Sequence, residues 1–183
     1  MLLDASISFL PWGSPAQSMV AAAGVAIQIG NIIDLLGQGV GTAPANIFGN
    51  TTLFGQDPGT GLIKPLVECI VGTAFTDGTG SPTINVQLQY AADQGSGGSY
   101  QPSTWYTIIE TGALTSAQLT AGTVFSKFDW QPVFPPTLRP RFVRLNGKVL
   151  AATNFATGTI TFAGVMLGRD DFAQKLTPKN FAV

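Results

Sequence analysis

The side chains that could carry out catalysis are few and scattered in this sequence. It contains no histidine, which removes the most common general base, the serine–histidine and cysteine–histidine nucleophile pairs, and most zinc or iron sites. Ten carboxylates are present, and a glycosidase-like pair could be assembled from Glu68 and Glu110. Carboxylates on strands are common, however, and no other feature marks a cleft around these two. We therefore predict that the protein is not an enzyme and has no catalytic residues.

Metal and cofactor sites also lack a recognisable pattern. Asp77 and Asp93 lie in glycine-rich turns, where Ca²⁺ could bind, but the repeated aspartates of a calcium loop are missing and turn-forming aspartates are the simpler interpretation. The glycines within residues 37–41 do not have the GxGxxG spacing of a dinucleotide site. Cys69 is the only cysteine and has apolar neighbours, so we expect it in the core. We expect no metal and no cofactor.

Charge is scarce throughout the sequence. Charged residues make up 10% of the chain, compared with about 25% in ordinary soluble domains. Four basic residues lie close together: Arg139, Arg141, Arg144 and Lys148. They are spread by alternation along a predicted strand, which favours a solvated face over a phosphate site. A surface with so little charge is best explained if much of it is buried against other subunits.

Nucleic acids and membranes are not expected as partners. The net charge of −1 excludes the strongly basic footprint of a nucleic-acid-binding protein. No uninterrupted apolar run approaches the roughly 20 residues that a membrane-spanning helix needs. The first residues also lack a basic segment ahead of an apolar core, so no signal peptide is predicted.

Two long strands joined by a turn are predicted between residues 140 and 167. In the first strand, Val143, Leu145 and Val149 alternate with mostly polar side chains, the period-2 pattern of a half-buried antiparallel strand. The second strand is apolar on both faces, which indicates a position deep in the fold. Asparagine, threonine and glycine at 153–158 favour a tight return between the two strands.

The clearest single strand covers residues 83–90. Its apolar side chains alternate with three amides, Asn85, Gln87 and Gln89, which indicates an outer face that contacts protein more than water. Further strands are predicted at 25–35, with a bend or bulge at Gly30, and at 63–71, 104–110 and 123–130. A helical turn is predicted at 16–23 and a short turn or helical segment at 116–121. This pattern predicts an all-β fold, a jelly roll or β-sandwich of about eight antiparallel strands in a single domain spanning residues 1–183.

Seven blocks of sequence resemble, in order, those of a known family. They are MLLDA at the start, IDL at 33–35, PLVECIVGTAFT at 65–76, INVQLQYAAD at 84–93, TIIETGALTSAQLTAGTVF at 107–125, RFVRLNGKV at 141–149 and TGTITFAGVML at 157–167. The series resembles the capsid cement (decoration) proteins of tailed bacteriophages of the Bordetella-phage type. The match touches most of the predicted strands and spans nearly the whole chain.

That resemblance implies a jelly-roll protein that is a structural component of the virion. It implies a homodimer or homotrimer, made in the host cytoplasm, that binds the outer surface of the assembled capsid and bridges neighbouring subunits of the major capsid protein. This sequence departs from the shorter members of the family in an insertion at 36–61, a loop at 95–103 and an extended tail at 168–183.

Apolar extensions are the predicted contact surface, either with the capsid or between copies of the chain. The extensions are an N-terminal arm at 1–15, a long glycine-rich loop at 36–61 and a C-terminal tail at 168–183. Their predicted contact residues are Leu2, Leu3, Phe9, Trp12, Phe48, Leu53, Phe54, Phe172, Leu176 and Phe181. We expect these side chains to complete their burial only when the protein assembles.

Two other functions stay open at this point. A carbohydrate- or receptor-binding jelly-roll module, such as part of a tail fibre or a lectin-like domain, would use exposed tryptophan and tyrosine side chains on one face. A glycoside-cleaving sandwich enzyme would need two carboxylates that face each other across a groove.

Overall fold

Most strands belong to two five-stranded antiparallel sheets. The computed structural model describes residues 8–20, 24–34, 38–42, 52–54, 65–95, 101–129 and 141–167. Sheet A contains β1 (Ser8–Leu10), β2 (Gln17–Ser18), β6 (Pro65–Val71), β11 (Val124–Asp129) and β14 (Thr159–Leu167). Sheet B contains β3 (Ala26–Asp34), β8 (Thr83–Ala91), β9 (Tyr106–Glu110), β10 (Leu114–Thr115) and β12 (Phe142–Val149).

Two shorter ribbons and one helical turn complete the described secondary structure. One ribbon pairs β4 (Gln38–Thr42) with β5 (Thr52–Phe54), and the other pairs β7 (Thr76–Thr79) with β13 (Asn154–Thr157). A single-turn 3₁₀ helix covers Ser116–Gln118, within the helical turn predicted at 116–121. Among the described residues, no helix has the length and apolar character needed to cross a membrane.

The core lies between the inner faces of the two sheets. The apolar side chains that alternate along β8 and β12 are buried, as predicted: Ile84, Val86, Leu88, Tyr90, Val143, Leu145 and Val149. Cys69 on β6 is buried as well, which confirms its predicted place in the core. Burial raises the pKa of its thiol to about 12, so the thiol stays protonated and unreactive at neutral pH. The predicted all-β fold is confirmed.

The order of strands within the sheets is consistent with a jelly-roll type of β-sandwich. β1 and β2 lie end to end beside β14, and β9 and β10 lie end to end beside β8, so each pair acts as one interrupted strand. Counted this way, the eight principal strands have the order 1-8-3-6 in sheet A and 5-4-7-2 in sheet B. The first and last principal strands are therefore neighbours.

The strand register places the long connections at one end of the sandwich. Leu167 pairs with Pro65 in sheet A, and Phe142 pairs with both Asp34 and Ala91 in sheet B. The ribbon of β7 and β13 links the opposite ends of the two sheets, because it connects β6 to β8 and β12 to β14. We call the first end the insertion end. The segments 35–64, 92–105 and 130–141 connect principal strands there, and residues 1–7 and 168–183 adjoin the first and last strands at the same end.

The hairpin predicted at 140–167 is wrong, although both of its strands are present. β12 lies in sheet B between β3 and β8, whereas β14 lies in sheet A between β1 and β6. The residues between them form β13, which pairs with β7 and not with either neighbour in sequence. The turn-forming residues at 153–158 do not predict this arrangement. Each long strand forms main-chain hydrogen bonds along both of its edges when it pairs with strands that are distant in the sequence.

Three segments without a predicted strand contain short ones. The arm at 1–15 includes β1, and β2 occupies part of the helical turn predicted at 16–23, of which residues 21–23 lie outside the described residues. The long loop at 36–61 includes β4 and β5. These strands are two to five residues long, too short for a periodic pattern to identify them.

The bulge predicted at Gly30 is confirmed, and it brings the edges of the two sheets together. Gly30 has a φ of +67°, and the register between β3 and β12 shifts beside it. A Cβ at this position would overlap the carbonyl of Phe9 in β1, so only glycine permits the approach. The Gln17 side chain completes the junction, because its Nε2 donates to Gln28 O (2.5 Å) and its Oε1 accepts from the Gly30 N–H (2.6 Å).

Candidate interaction surface

The outer face of sheet B is lined with amides. Alternate residues of β8 point into the core, so Asn85, Gln87 and Gln89 point away from it. On the next strand, Asn146 is the register partner of Gln87. We call these four residues the amide face. The sequence predicts this surface because successive side chains of a strand point to opposite faces of the sheet. When the apolar side chains face the core, the amides that alternate with them must face outward.

A hydrogen-bond network fixes three of these amides. Glu110 Oε2 accepts hydrogen bonds from Asn85 Nδ2 (2.8 Å) and Gln87 Nε2 (3.0 Å). Gln89 Nε2 donates to Gln87 Oε1 (3.1 Å) and to Thr107 Oγ1 (3.0 Å). The negative charge of Glu110 is therefore stabilised by two amide donors that belong to the same face.

Arg144, on β12, has its positive charge matched in a similar way. Its Nε donates to Gln89 Oε1 (2.9 Å), and its guanidinium carbon lies 4.2 Å from the centroid of the Trp105 ring. That distance is short enough for a cation–π interaction. Partial burial lowers the pKa of Arg144, but a guanidinium stays protonated at any physiological pH. The face thus combines polar groups with little unmatched charge.

A second group of side chains, Arg141 with Asp34 and Asp93, ties together the insertion end. Arg141 Nε and Nη2 donate to the two carboxylate oxygens of Asp34, each over 2.9 Å. Arg141 Nη1 donates to Asp93 Oδ2, also over 2.9 Å. The Arg141 side chain is only 12% exposed. This Arg141 clamp joins the end of β3 and the segment after β8 to the residue that precedes β12.

Asp93 also organises the loop that follows β8. Its Oδ1 accepts hydrogen bonds from the main-chain N–H groups of Gly95 (2.8 Å) and Gln101 (3.1 Å). These two donors, with the Arg141 guanidinium, hold the pKa of the Asp93 carboxyl below its usual range. Both carboxylate oxygens face N–H donors, surroundings that suit a turn-forming aspartate and not a calcium ligand. Among the described residues, no group of three or more metal-ligating side chains occurs.

One chemical interpretation of the sequence needs correction, and the geometry bears on one pairing that the sequence left improbable. The basic cluster is not simply a solvated face, because Arg141 and Arg144 bind protein groups, while Lys148 is exposed and Arg139 lies outside the described residues. Glu68 and Glu110 cannot form a catalytic pair. Glu68 alternates with buried residues of β6 and points outward from sheet A, whereas Glu110 belongs to the outer face of sheet B.

The ten predicted contact residues fall mostly outside the described residues. Outside them lie Leu2, Leu3, Phe48, Phe172, Leu176 and Phe181, and the side chains of Leu53 and Phe54 in β5. Phe9 corrects the prediction, because it is fully buried in the core as part of β1 and stabilises the fold instead of an interface. Trp12 is 67% exposed and its ring centroid lies 5.9 Å from that of Phe162, so much of its ring is available to a partner.

The sequence pattern predicts the amide face but not the groups that hold it in place. Arg141 and Asp34 are 107 residues apart in the chain, and Gln87 and Glu110 are 23 apart. No local pattern signals such pairs. The one available signal was compositional: Arg141 and Arg144 lie three residues apart in a chain otherwise poor in charge.

Comparisons with known proteins leave the family unassigned. No protein-family model matches the sequence, and no curated protein matches it. A functional proposal therefore rests on the geometry of the amide face and of the insertion end. The ordered sequence blocks add the expectation of a capsid cement protein.

Proposed function

We propose that the protein is a structural decoration (cement) protein of a tailed-phage head, which binds the outer surface of the shell and bridges major capsid subunits. The observation that carries this proposal is the common origin of the long connections. Eight of the ten predicted contact residues belong to segments that join the sandwich at its insertion end, and Phe9 and Trp12 are the exceptions. Several apolar segments that start from one end of a compact sandwich suit a clamp on neighbouring subunits.

The matched charges of the described surface support the same proposal. Glu110 and Arg144 have partners on the amide face, and Arg141 has partners in its clamp. Burial of such a surface against another protein leaves few ions to desolvate, which lowers the cost of docking. The exposed ring of Trp12 adds a contact of the kind that is enriched at the centres of interfaces.

A decoration protein of this kind stabilises a shell by binding it after assembly. Because the protein binds assembled subunits and not dissociated ones, it shifts the equilibrium toward the intact shell by mass action. Each copy that bridges two subunits also gains from multivalency. The mechanism needs no covalent step and no cofactor.

Purified phage heads provide the test. We expect a band of 19.1 kDa in stoichiometric amount beside the major capsid band, and we expect recombinant protein to bind again to heads stripped of it. Separate removal of residues 1–7, 43–51 and 168–183, which spares every strand described above, should lower occupancy. Heads without the 19.1 kDa band, or full occupancy by all three deletion variants, would contradict the proposal.

A carbohydrate- or receptor-binding module is the second candidate, and the amide face is the observation that favours it. Amides beside a tryptophan are groups that proteins use to bind sugar hydroxyls and ring faces. Against this candidate, Arg144 already covers one face of the Trp105 ring. Binding of the isolated protein to a glycan array would favour it, whereas head binding without glycan binding would favour decoration.

A further inference from the structure

The side chain of Asn146 has an unusual environment at the centre of the amide face. The residue is 6% exposed, yet its side-chain amide forms no hydrogen bond with any group in the described part of the chain. Its two register partners use their amides elsewhere, since Gln28 Nε2 donates to Gly30 O (2.9 Å) and Gln87 belongs to the Glu110 network. Buried polar groups are nearly always paired, so an unpaired one indicates a missing water or binding partner.

The surroundings of Asn146 suit a partner that is polar but uncharged. Glu110 accepts hydrogen bonds from two amides, and Arg144 is held by Gln89 and Trp105. Lys148 is the exposed charge at the rim. A charged ligand would therefore find little complementary charge on the amide face, whereas a neutral chain of hydrogen-bonding groups would find several partners.

The spacing of the amides favours an extended polypeptide. Asn85, Gln87 and Gln89 recur at every second residue of β8, a repeat of about 6.8 Å. An extended polypeptide presents main-chain N–H and C=O groups to one side with the same repeat. A segment that lies along β8 can therefore meet successive amides and reach Asn146 on the adjacent strand.

We propose that the amide face is a docking surface for an extended segment of a shell subunit, whose main chain pairs with the Asn146 side chain. The inference rests on the proposed function for the identity of this partner. It adds a contact along the flat side of the sandwich to the contacts at the insertion end.

The substitution Asn146→Leu tests the inference because its effects on stability and on binding have opposite signs. Leucine has a similar volume and removes an unpaired amide, so the isolated variant should melt at the same temperature as the wild type or higher. Its affinity for heads stripped of the protein should fall about tenfold or more, because a main-chain group of the partner loses its hydrogen bond. The matched control is Glu68→Gln, on the outer face of sheet A, which should bind as the wild type does.

Each outcome of this experiment separates the two proposals. Equal binding by the Asn146→Leu variant and the wild type overturns the inference and leaves the proposed function intact. Failure of the wild type to bind heads overturns both. Glycan-array binding by the wild type that is lost in the variant overturns the polypeptide assignment in favour of a carbohydrate.

Chemical footprinting gives a second test that does not depend on a folded variant. Lys148 is exposed and lies two residues from Asn146 on the same side of β12. An amine-acylating reagent should modify Lys148 in the isolated protein and react several-fold more slowly with it in the head-bound protein. Equal reaction in the two states overturns the inference.

Discussion

Arg141 binds Asp34 through two parallel hydrogen bonds and Asp93 through a third. A planar guanidinium can satisfy this geometry, whereas a lysine ammonium cannot reproduce the bidentate contact. Asp93 is held further by the main-chain N–H groups of Gly95 and Gln101. One pair of oppositely charged residues therefore fixes the loop after β8 to the start of β12.

The substitution Asp93→Asn tests this arrangement through its dependence on pH. The folded-state pKa of Asp93 is depressed, so its contribution to stability is full above the unfolded value of about 3.9 and is lost as the pH falls through the folded value. The variant should melt at a lower temperature than the wild type at pH 7 and should lose less stability on acidification. Melting curves measured from neutral to strongly acidic pH check both effects. The exposed Asp77→Asn variant is the control, and an unchanged acid dependence in the Asp93 variant would contradict the assignment.

At the scale of elements, the junction between β1 and β3 closes one edge of the sandwich. Gly30 lets the main chain of Phe9 approach, and Gln17 supplies side-chain hydrogen bonds where no strand pairing continues. The Gln17 amide thus replaces part of a main-chain ladder between two strands of different sheets. Loss of this junction would expose a row of unpaired main-chain groups on β3.

Alanine substitutions at two glycines distinguish two contributions to stability. One is the strain of a positive φ angle, and the other is the steric overlap of a Cβ with a neighbouring strand. Gly30 and Gly13 both have positive φ angles, but a Cβ at Gly13 meets no atom of the described residues within 4 Å, whereas one at Gly30 overlaps Phe9 O. Gly13→Ala should therefore cost only about 1 kcal/mol of unfolding free energy. Gly30→Ala should cost on the order of 3 kcal/mol or more, because β1 must move away from β3. Urea denaturation measures both free energies of unfolding. Equal losses in the two variants would show that the close contact between Gly30 and the main chain of Phe9 does not affect stability.

The positions of most elements could be predicted from the sequence, but their partners could not. Alternation located β8 and β12 and identified the amide face, since period 2 fixes which side chains share a side. The same pattern could not show that β12 and β14 lie in different sheets, because alternation carries no information about distant neighbours. The Arg141 clamp and the burial of Phe9 were missed for this reason, since both depend on contacts between segments far apart in the chain.

Across the whole molecule, the scarcity of charge limits the electrostatic part of any association. Charged residues make up 10% of the chain, the net charge is −1, and several of the described charges are matched internally. Long-range steering and intermolecular ion pairs therefore contribute little to docking.

Head binding should consequently depend only weakly on salt. We expect the affinity to change less than about threefold between about 50 mM and about 500 mM salt, because screening acts on charges that contribute little. Co-sedimentation of labelled protein with stripped heads measures this dependence. A fall in affinity of about tenfold or more would show that ion pairs contribute more to docking than the amide face and the apolar side chains do.

The adjacency of the first and last principal strands has a consequence for biosynthesis. Ser8 pairs with Gly164, and β6 also has β14 on one side. Until β14 has emerged from the ribosome, β1, β2 and one edge of β6 have no strand to pair with, and their apolar surface stays accessible to chaperones and to other nascent chains. The yield of folded protein should therefore depend more on how well chaperones cover this apolar surface of the nascent chain than on how fast any single strand forms.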